Sequence, residues 1–402
     1  MTAGMMSVRG KIKVVHIITR FDKGGSAENT FLTVRGLDKV RYDLLLVAGG
    51  PPPRRPEDRE SEAADANIAA VQAAGVRLIR IPRLVRELSP LSDLAALGSL
   101  MRVIGRERPG IVHTHTSKAG FLGRWAAWLC RVPVIIHTPH GHVFWGYFGP
   151  WKTRCFVLLE RWTARITRTI VTLTPQERDD HLRFRIAPEE KFAVIHSGVD
   201  LPLFDAAPHD RFKIRAELDI PPDHLIIGTA GRLTPVKGHI HLLEAAVRIL
   251  ATRPDTTFVF LGEGELKMRL LEQAEALGVA NKVRFPGWRP DVAAVMSVFD
   301  VFVLPSLNEG MGRVLIEAMA LSMPIVASRI GGIKDLVTNG GNGMLVPPGD
   351  AAAIASAVLA LLGNEQKRLA MGSEGRRMAG NYSAQRMVKK IEALYDQLLE
   401  RL

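Results

Sequence analysis

"VFVLPSLNEGMGRVLIEAMALSMPIVAS", residues 301–328, holds the organisation of the chain in miniature. The apolar run Val301–Ser306 has the length of a fully buried strand. Asn308–Gly312 is polar and glycine-rich, as a turn requires. "RVLIEAMAL" spaces its apolar residues for a helix, and "PIVAS" (324–328) is a second buried strand. Strand, turn, helix and strand in that order make a parallel pair with a crossover helix. The stretch also sets two carboxylates, Glu309 and Glu317, into an otherwise apolar run, where glutamate is rarely buried without a partner.

The same alternation runs through the whole chain. Strands are expected at Lys13–Ile18, Asp43–Ala48, Leu78–Ile81, Gly110–His115, Val132–His137, Ile170–Leu173 and Phe192–Ile195, with helices near Glu28–Leu37 and over Ser117–Leu129. The pattern restarts with "LIIGTAGRL" (225–233), a helix near His239–Ala251, and strands in "TTFVFLGEG" (256–264), "KVRFPGW" (282–288) and "GMLVPPG" (343–349). Residues 49–66, proline-rich and highly charged, read as a flexible surface loop. Two doubly wound Rossmann-like halves follow: an N-terminal domain over 1–205 and a C-terminal one over 211–380, with a link near Gly198–Ile220. Ser383–Leu402 is a strong amphipathic helix. Two such halves face to face make a cleft, and ligands of open α/β sheets sit beyond the carboxyl ends of the strands.

At 402 residues the chain exceeds one ordinary core, and 47% hydrophobic with 23% charged residues reads as soluble and globular. Cys130 and Cys155, the two cysteines, exclude a disulfide framework and lack zinc spacing, which fits a reducing compartment. Met1–Gly10 has no apolar core of a signal peptide, and charge interrupts every apolar run short of a membrane span, so a cytoplasmic location is expected. The net charge of +12 is uneven: residues 1–205 hold 30 Lys/Arg against 20 Asp/Glu, the remainder 23 against 21. A basic half suits an anionic partner, whether nucleic acid, membrane surface or phosphate-bearing substrate; it equally suits a plain basic soluble protein.

Four constellations can carry chemistry. In "GTAGRLTPVKG", Arg232 follows a strand directly and Lys237 opens the next helix. A planar fork and a point charge across one turn can converge on a polyphosphate, or both can be solvated surface cations. No Walker motif is present. In the opening stretch, Gly310 and Gly312 let a substrate approach the backbone, and the helix start presents amides. Glu317 would lie about two turns beyond Glu309, roughly 12 Å along the axis, which suits an extended ligand with a diol at each end. Glu309 as a cap and Glu317 as the partner of a cation is the alternative.

His113, His115, His137, His140 and His142 cluster near two strand ends, yet strand-end histidines are more often structural than metal-ligating, and no metal is assigned. Ser117 and Lys118 read as a helix cap beside a cation, for an acceptor phosphate or as ordinary capping. Finally, residues 142–169 join Trp145, Tyr147, Phe148 and Trp151 to Lys152, Arg154, Arg161, Arg165 and Arg168. That combination suits a membrane interface or lipid phosphate, or a core helix with an arginine-rich outer face.

The E-x7-E pair within "NEGMGRVLIEAMALSMPIVASRIGGIKDLV", together with "GRLTPVKG", "HSGVDLPLF" and "FPGWRPDV", resembles the family-4 retaining glycosyltransferases of the GT-B fold over nearly the whole chain. The resemblance implies two Rossmann-like domains across a cleft, with the last helix crossing back to the N-terminal one. It implies that Arg232 and Lys237 hold the donor diphosphate, Glu317 the ribose diol and Glu309 the transferred sugar. Amides near Gly310, Met311 and Gly312 would contact sugar and phosphate; Gly262, Glu263 and Arg289 would border the nucleobase. Gly24 and Gly25 would face the donor from the other half. His140 would stand beside the reacting sugar carbon on the acceptor side.

Met311 departs from a common aromatic, Ser322 from Gly and Asp335 from Glu. The implied reaction moves a sugar from a nucleotide-diphosphate donor, a UDP-sugar before a GDP-sugar, to a hydroxyl of a saccharide or polyprenyl-linked acceptor. No cofactor is called for beyond that co-substrate, and the absence of D-x-D fits metal independence. "HTHTSKAGFLGR" resembles bacterial polysaccharide-assembly transferases, which implies a place on the inner membrane face and no nucleic-acid partner. A GT-B nucleotide-sugar epimerase and a non-enzymatic basic binder are the rival readings; the first turns over donor without acceptor, the second shows steep salt dependence.

Overall fold

The computed structural model describes residues 10–21, 24–50, 67–141, 149–205 and 210–402. The chain divides into two compact units, Met1–Gly198 with Ala384–Leu402, and Val199–Ser383. The expected loop over 49–66 and the aromatic residues Trp145, Tyr147 and Phe148, with His142, lie almost wholly outside the described residues.

In the first unit, β1 (Ile12–Ile18), β2 (Tyr42–Gly49), β3 (Arg77–Ile81), β4 (Ile111–His115), β5 (Val134–Thr138), β6 (Thr169–Thr172) and β7 (Phe192–Val194) form one sheet. Its order is β3-β2-β1-β4-β5-β6-β7, and each neighbouring pair is parallel. Helices cover both faces, so these strands are apolar almost throughout. Alternate residues go to opposite faces. Val14, Ile18, Ile111 and Ile136 join one core, while Val15, Ile17, Val112 and Ile135 join another.

The last helix, Ala384–Leu399, returns to this unit. Met387, Val388, Ile391, Leu394, Tyr395 and Leu398 recur every three to four residues and enter the same core as Phe31, Leu32 and Val34 of the helix Gly25–Gly36. Each buried Leu or Ile contributes about 1.5–3 kcal/mol. At its rim Asp396 pairs with Arg41, and Glu392 accepts from the Asp38 amide at 2.9 Å.

The second unit repeats the plan with β8 (Leu225–Ala230), β9 (Thr256–Leu261), β10 (Val283–Gly287), β11 (Val301–Leu304), β12 (Ile325–Ser328) and β13 (Gly343–Val346). Their order is β10-β9-β8-β11-β12-β13, again parallel throughout. The opening stretch is β11, the helix Arg313–Ala320 and β12, as its pattern predicts. In both sheets the order reverses beside the first strand, between β1 and β4 and between β8 and β11. Loops at those carboxyl ends are where such sheets bind ligands.

Candidate functional site

The loop after β8 (Gly231–Gly238) and the loop after β11 (Pro305–Gly312) meet at the reversal point of the second sheet. Leu307 donates its amide to the Val236 carbonyl at 2.8 Å. Gly238 has φ 63°, and a Cβ there would stand 2.2 Å from the Pro305 carbonyl oxygen, so a side chain would force the loops apart. At Gly331, after β12, an added Cβ would likewise stand 2.2 Å from the Glu309 carbonyl oxygen. Backbone contact, rather than side-chain packing, thus fixes the Glu309 loop from two sides.

Within that frame Lys237 pairs with Glu309 Oε1, and the Ser306 hydroxyl donates to the same oxygen at 2.9 Å. Both charged side chains are mostly buried, and a half-desolvated pair holds its geometry more firmly than a solvated one. Arg232 is exposed, and its guanidinium makes no ion pair or hydrogen bond with described residues. On this one loop, Arg232 and a Lys237 already held by a carboxylate leave an excess of positive charge, suited to a multiply charged anion.

Glu309 is not the helix cap. The helix begins at Arg313 after Gly312, which occupies the left-handed region at φ 76°. The separation of Glu309 and Glu317 is therefore set by a turn plus one helical turn rather than by two turns of helix. Glu317 stands 4.0 Å from Arg313 one turn back, so the sequence alternative of a cation partner is realised there. Met311, which departs from a common aromatic, is buried.

The neighbouring loops carry the other expected residues. Gly262 donates its amide to Gly287 at 3.0 Å. Glu263 accepts from Lys267 at 2.8 Å, and Arg289 is held by Asp291 at 2.7 Å and Glu217 at 2.9 Å. Both side chains are engaged locally, so a nucleobase would meet them as fixed edges rather than as free charges.

The first unit is built differently. Gly24, with φ 134°, precedes the helix that starts at Gly25. Lys118 is not free for a phosphate as expected: its ammonium is 2.5 Å from Asp93 and also bonds the Glu87 carbonyl. Nor does Ser117 cap its helix. Thr116 occupies the N-cap, and the Thr19 hydroxyl after β1 accepts the Ala119 amide at 3.0 Å. The sequence reading missed Thr19 because a capping residue from another strand leaves no local motif.

The histidines alternate along β4, so His113 and His115 share one face of the sheet with His16 of β1, while His137 lies on the other. His16 Nδ1 is 3.0 Å from His115 Nε2, and His115 Nδ1 is 3.0 Å from His140 Nε2. Burial pushes the His16 imidazole down to about 3 and holds His113, His115 and His137 well below the ordinary histidine range. His140 sits at φ 60°, an uncommon conformation for a residue with a side chain. Its neighbour Gly141 donates to Glu177 at 2.8 Å, and Leu173 donates to the same carboxyl at 2.6 Å. Burial raises Glu177 to about 7, opposed by those two amides. His16 and Glu177 escaped the sequence reading; a lone histidine in "KVVHII" was the signal for the first.

The helix Pro150–Arg165 completes this unit. Arg124, fully buried, forks onto Glu160 at 2.8 and 2.9 Å and so ties the helix Ser117–Leu129 to it. Trp125 packs on Trp162 with ring centroids 4.5 Å apart. Trp151, Leu158 and Trp162 are exposed beside Lys152, Arg154 and Arg165. Arg161 is not part of that basic face, since its guanidinium bonds the Phe184 carbonyl at 2.7 Å. Among the described residues no helix is long and apolar enough to cross a membrane.

Two parallel sheets of this order have the architecture of the GT-B fold, and comparison with known proteins supplies the family. Residues 24–198 match the glycosyl transferase 4-like domain, and residues 210–378 match the glycosyl transferases group 1. The chain is 30% identical to the Escherichia coli UDP-Gal:alpha-D-GlcNAc-diphosphoundecaprenol alpha-1,3-galactosyltransferase, over 75% of this chain and 78% of that protein. It is 27% identical to the Staphylococcus aureus capsular polysaccharide biosynthesis glycosyltransferase CapM, over 76% and 82% respectively. Among solved structures, Anabaena HepE in complex with UDP-glucose superposes with a TM-score of 0.80 at 22% identity, covering 96% of this chain and 99% of that one. The chain belongs to the group 1, family-4-like glycosyltransferases, relatives of the bacterial capsular and exopolysaccharide enzymes.

Proposed function

We propose that this glycosyltransferase moves a hexose from a UDP-sugar to a hydroxyl of a polyprenyl-diphosphate-linked saccharide, in the assembly of a cell-envelope polysaccharide. The observation that carries the reading is the Lys237–Glu309 pair, with Ser306 on the same carboxylate and Arg232, exposed and unpaired among the described residues, on the same loop as Lys237. In this reading Arg232 and Lys237 neutralise the diphosphate as its bond to the anomeric carbon breaks. Fixed positive groups in a partly dry site stabilise that growing charge without reorganising. Glu309, already oriented by Ser306 and Lys237, accepts from hydroxyls of the transferred sugar, and Glu317 accepts from the ribose diol. Amides of Gly310, Met311 and Gly312 approach sugar and phosphate, while Gly262, Glu263 and Arg289 flank the base. Gly24 and Gly25 offer the amides of their helix start to an anion. His140 contacts the sugar undergoing transfer from the acceptor-binding unit.

The Escherichia coli relative, by its name, uses UDP-galactose and an undecaprenol-diphosphate acceptor. An acceptor of that kind supports a peripheral position on the cytoplasmic membrane. The exposed Trp151, Leu158 and Trp162 with Lys152, Arg154 and Arg165 supply both terms such contact needs, apolar area and attraction to anionic lipid.

Titration calorimetry with UDP tests the donor half. Lys237→Ala and Arg232→Ala should each weaken UDP binding about tenfold or more, the loss expected when a charge-assisted contact is removed. Unchanged affinity in both variants overturns the assignment. Incubation with labelled UDP-sugars, with and without a lipid-linked acceptor, separates transfer from epimerisation.

A further inference from the structure

Five hydrogen bonds join six side chains of the first unit end to end. His140 Nε2 meets His115 Nδ1 at 3.0 Å, and His115 Nε2 meets His16 Nδ1 at 3.0 Å. His16 Nε2 meets the Tyr395 hydroxyl at 3.3 Å, and that hydroxyl meets His113 Nδ1 at 2.8 Å. His113 Nε2 meets Thr138 Oγ1 at 2.8 Å. The strands supply the histidines and Thr138, whereas Tyr395 arrives from the last helix, some 250 residues later. His16, His113, His115 and Tyr395 are all but inaccessible to solvent.

Buried in this way, the imidazoles of His16, His113 and His115 are neutral, and burial likewise keeps the Tyr395 phenol protonated. A neutral imidazole has one N–H and one lone pair, so accepting at one nitrogen obliges it to donate from the other. With His140 also in its neutral form, two polarities of the chain satisfy every interior donor. In the first, all four histidines carry the proton on Nε2, Tyr395 donates to His113, and Thr138 accepts. In the second, all four carry it on Nδ1, Thr138 donates to His113, and Tyr395 donates to His16. Any mixture strands the proton of Tyr395 or sets two N–H groups or two lone pairs against each other in a buried site.

We propose that Tyr395 is a positioning residue for His140: by closing this chain its hydroxyl ties the tautomer and orientation of His140 to those of His16, His115 and His113. The inference rests on the reading of His140 as a group that contacts substrate. It also gives the returning helix a role beyond packing, because the tyrosine ring alone would fill the same space. The strained backbone at His140, with the Gly141 amide held by Glu177, fixes the ring's origin while the chain fixes its rotation.

Tyr395→Phe in the full chain, labelled with 15N-histidine, tests this. Long-range proton–nitrogen spectra separate Nδ1 and Nε2 of each ring. The wild type should show one common tautomer for His16, His113, His115 and His140. In Tyr395→Phe the two nitrogen shifts of His140 should move toward the values of a mixed tautomer, kcat should fall about tenfold, and the donor KM should stay within about twofold. Unmoved His140 shifts in the variant, or mixed tautomers in the wild type, overturn the proposal. Should Tyr395→Phe not fold, Thr138→Val breaks the chain at its far end with the same expected shifts, and Thr138→Ser restores them. His140→Ala read in parallel keeps the two claims apart. Full transfer in that variant removes His140 from the site, while the tautomer spectra still decide the chain.

Discussion

The two units share one strand order but furnish their reversal points with opposite chemistry. Beside β1 and β4 the first unit places neutral, buried histidines, and the cation expected to serve a phosphate there, Lys118, is bound by Asp93. Beside β8 and β11 the second unit places Lys237, Glu309 and the unpaired Arg232. Yet the first half carries nearly all of the net charge, 30 basic against 20 acidic residues, and the second is almost balanced. Bulk charge therefore does not locate the groups proposed to bind phosphate. What locates them is the loop that follows a strand at the reversal point, where backbone packing can hold a charged side chain part-buried. The excess charge of the first half lies instead on surfaces such as the helix Pro150–Arg165.

The sharpest way to break this contrast is acid. His16, whose imidazole ordinarily titrates near 6.5, is pushed down to about 3 by burial, and His113, His115 and His137 are lowered by the same cause. Below 6.5 the unfolded chain binds protons that the folded unit refuses. Their contribution is thus complete above pH 6.5 and is lost progressively as pH falls below it, for His16 down to about 3. Each group costs up to about 1.4 kcal/mol per pH unit in that window. Glu177 runs the other way. Its carboxyl, raised to about 7, favours the folded state most at low pH and loses that advantage between its ordinary value and 7. Hydrogen exchange followed by mass spectrometry between pH 7 and 4 should show the first unit opening before the second. Simultaneous opening, or the reverse order, would mean the histidines are not refused protons as described.

A second test acts on the other unit. Lys237→Ala and Glu309→Ala should each lower sugar transfer about a thousandfold or more, with the circular dichroism spectrum unchanged. Glu309→Ala differs from Lys237→Ala in one respect: it removes a sugar contact but frees the ammonium, so UDP affinity should hold or rise. Full activity in either variant would reject the roles assigned to the pair.

The smallest expected effect concerns the surface of the first unit. Trp151→Ser should weaken association with vesicles containing anionic phosphatidylglycerol by about tenfold, roughly 1.4 kcal/mol of lost apolar contact. Transfer to a short soluble acceptor should be untouched. Equal vesicle binding by wild type and variant would move the membrane contact elsewhere or remove it.

Much of this was written locally. "VFVLPS", the glycine turn, "RVLIEAMAL" and "PIVAS" each carry their own periodicity, so the parallel unit and its repetition are legible residue by residue. Arg232, Lys237 and Glu309 stand out because they interrupt apolar patterns just after strands. Less was legible wherever two distant segments meet. Lys118 looked available until Asp93 and the Glu87 carbonyl were seen beside it. Arg161 looked like part of a basic face until its guanidinium was found on the Phe184 carbonyl. His16, inside one strand, and Tyr395, inside one amphipathic helix, carry no local mark of the partners they meet.

The sequence by itself determined the elements, their parallel pairing and the residues that flank each strand end, because propensity and period act over a few neighbouring positions. Only the tertiary structure decided which charges are spent and which remain available, and which polar groups in the core satisfy one another. Those outcomes depend on distances between segments far apart in the chain. There, burial makes each unmet hydrogen bond costly enough to dictate the partner.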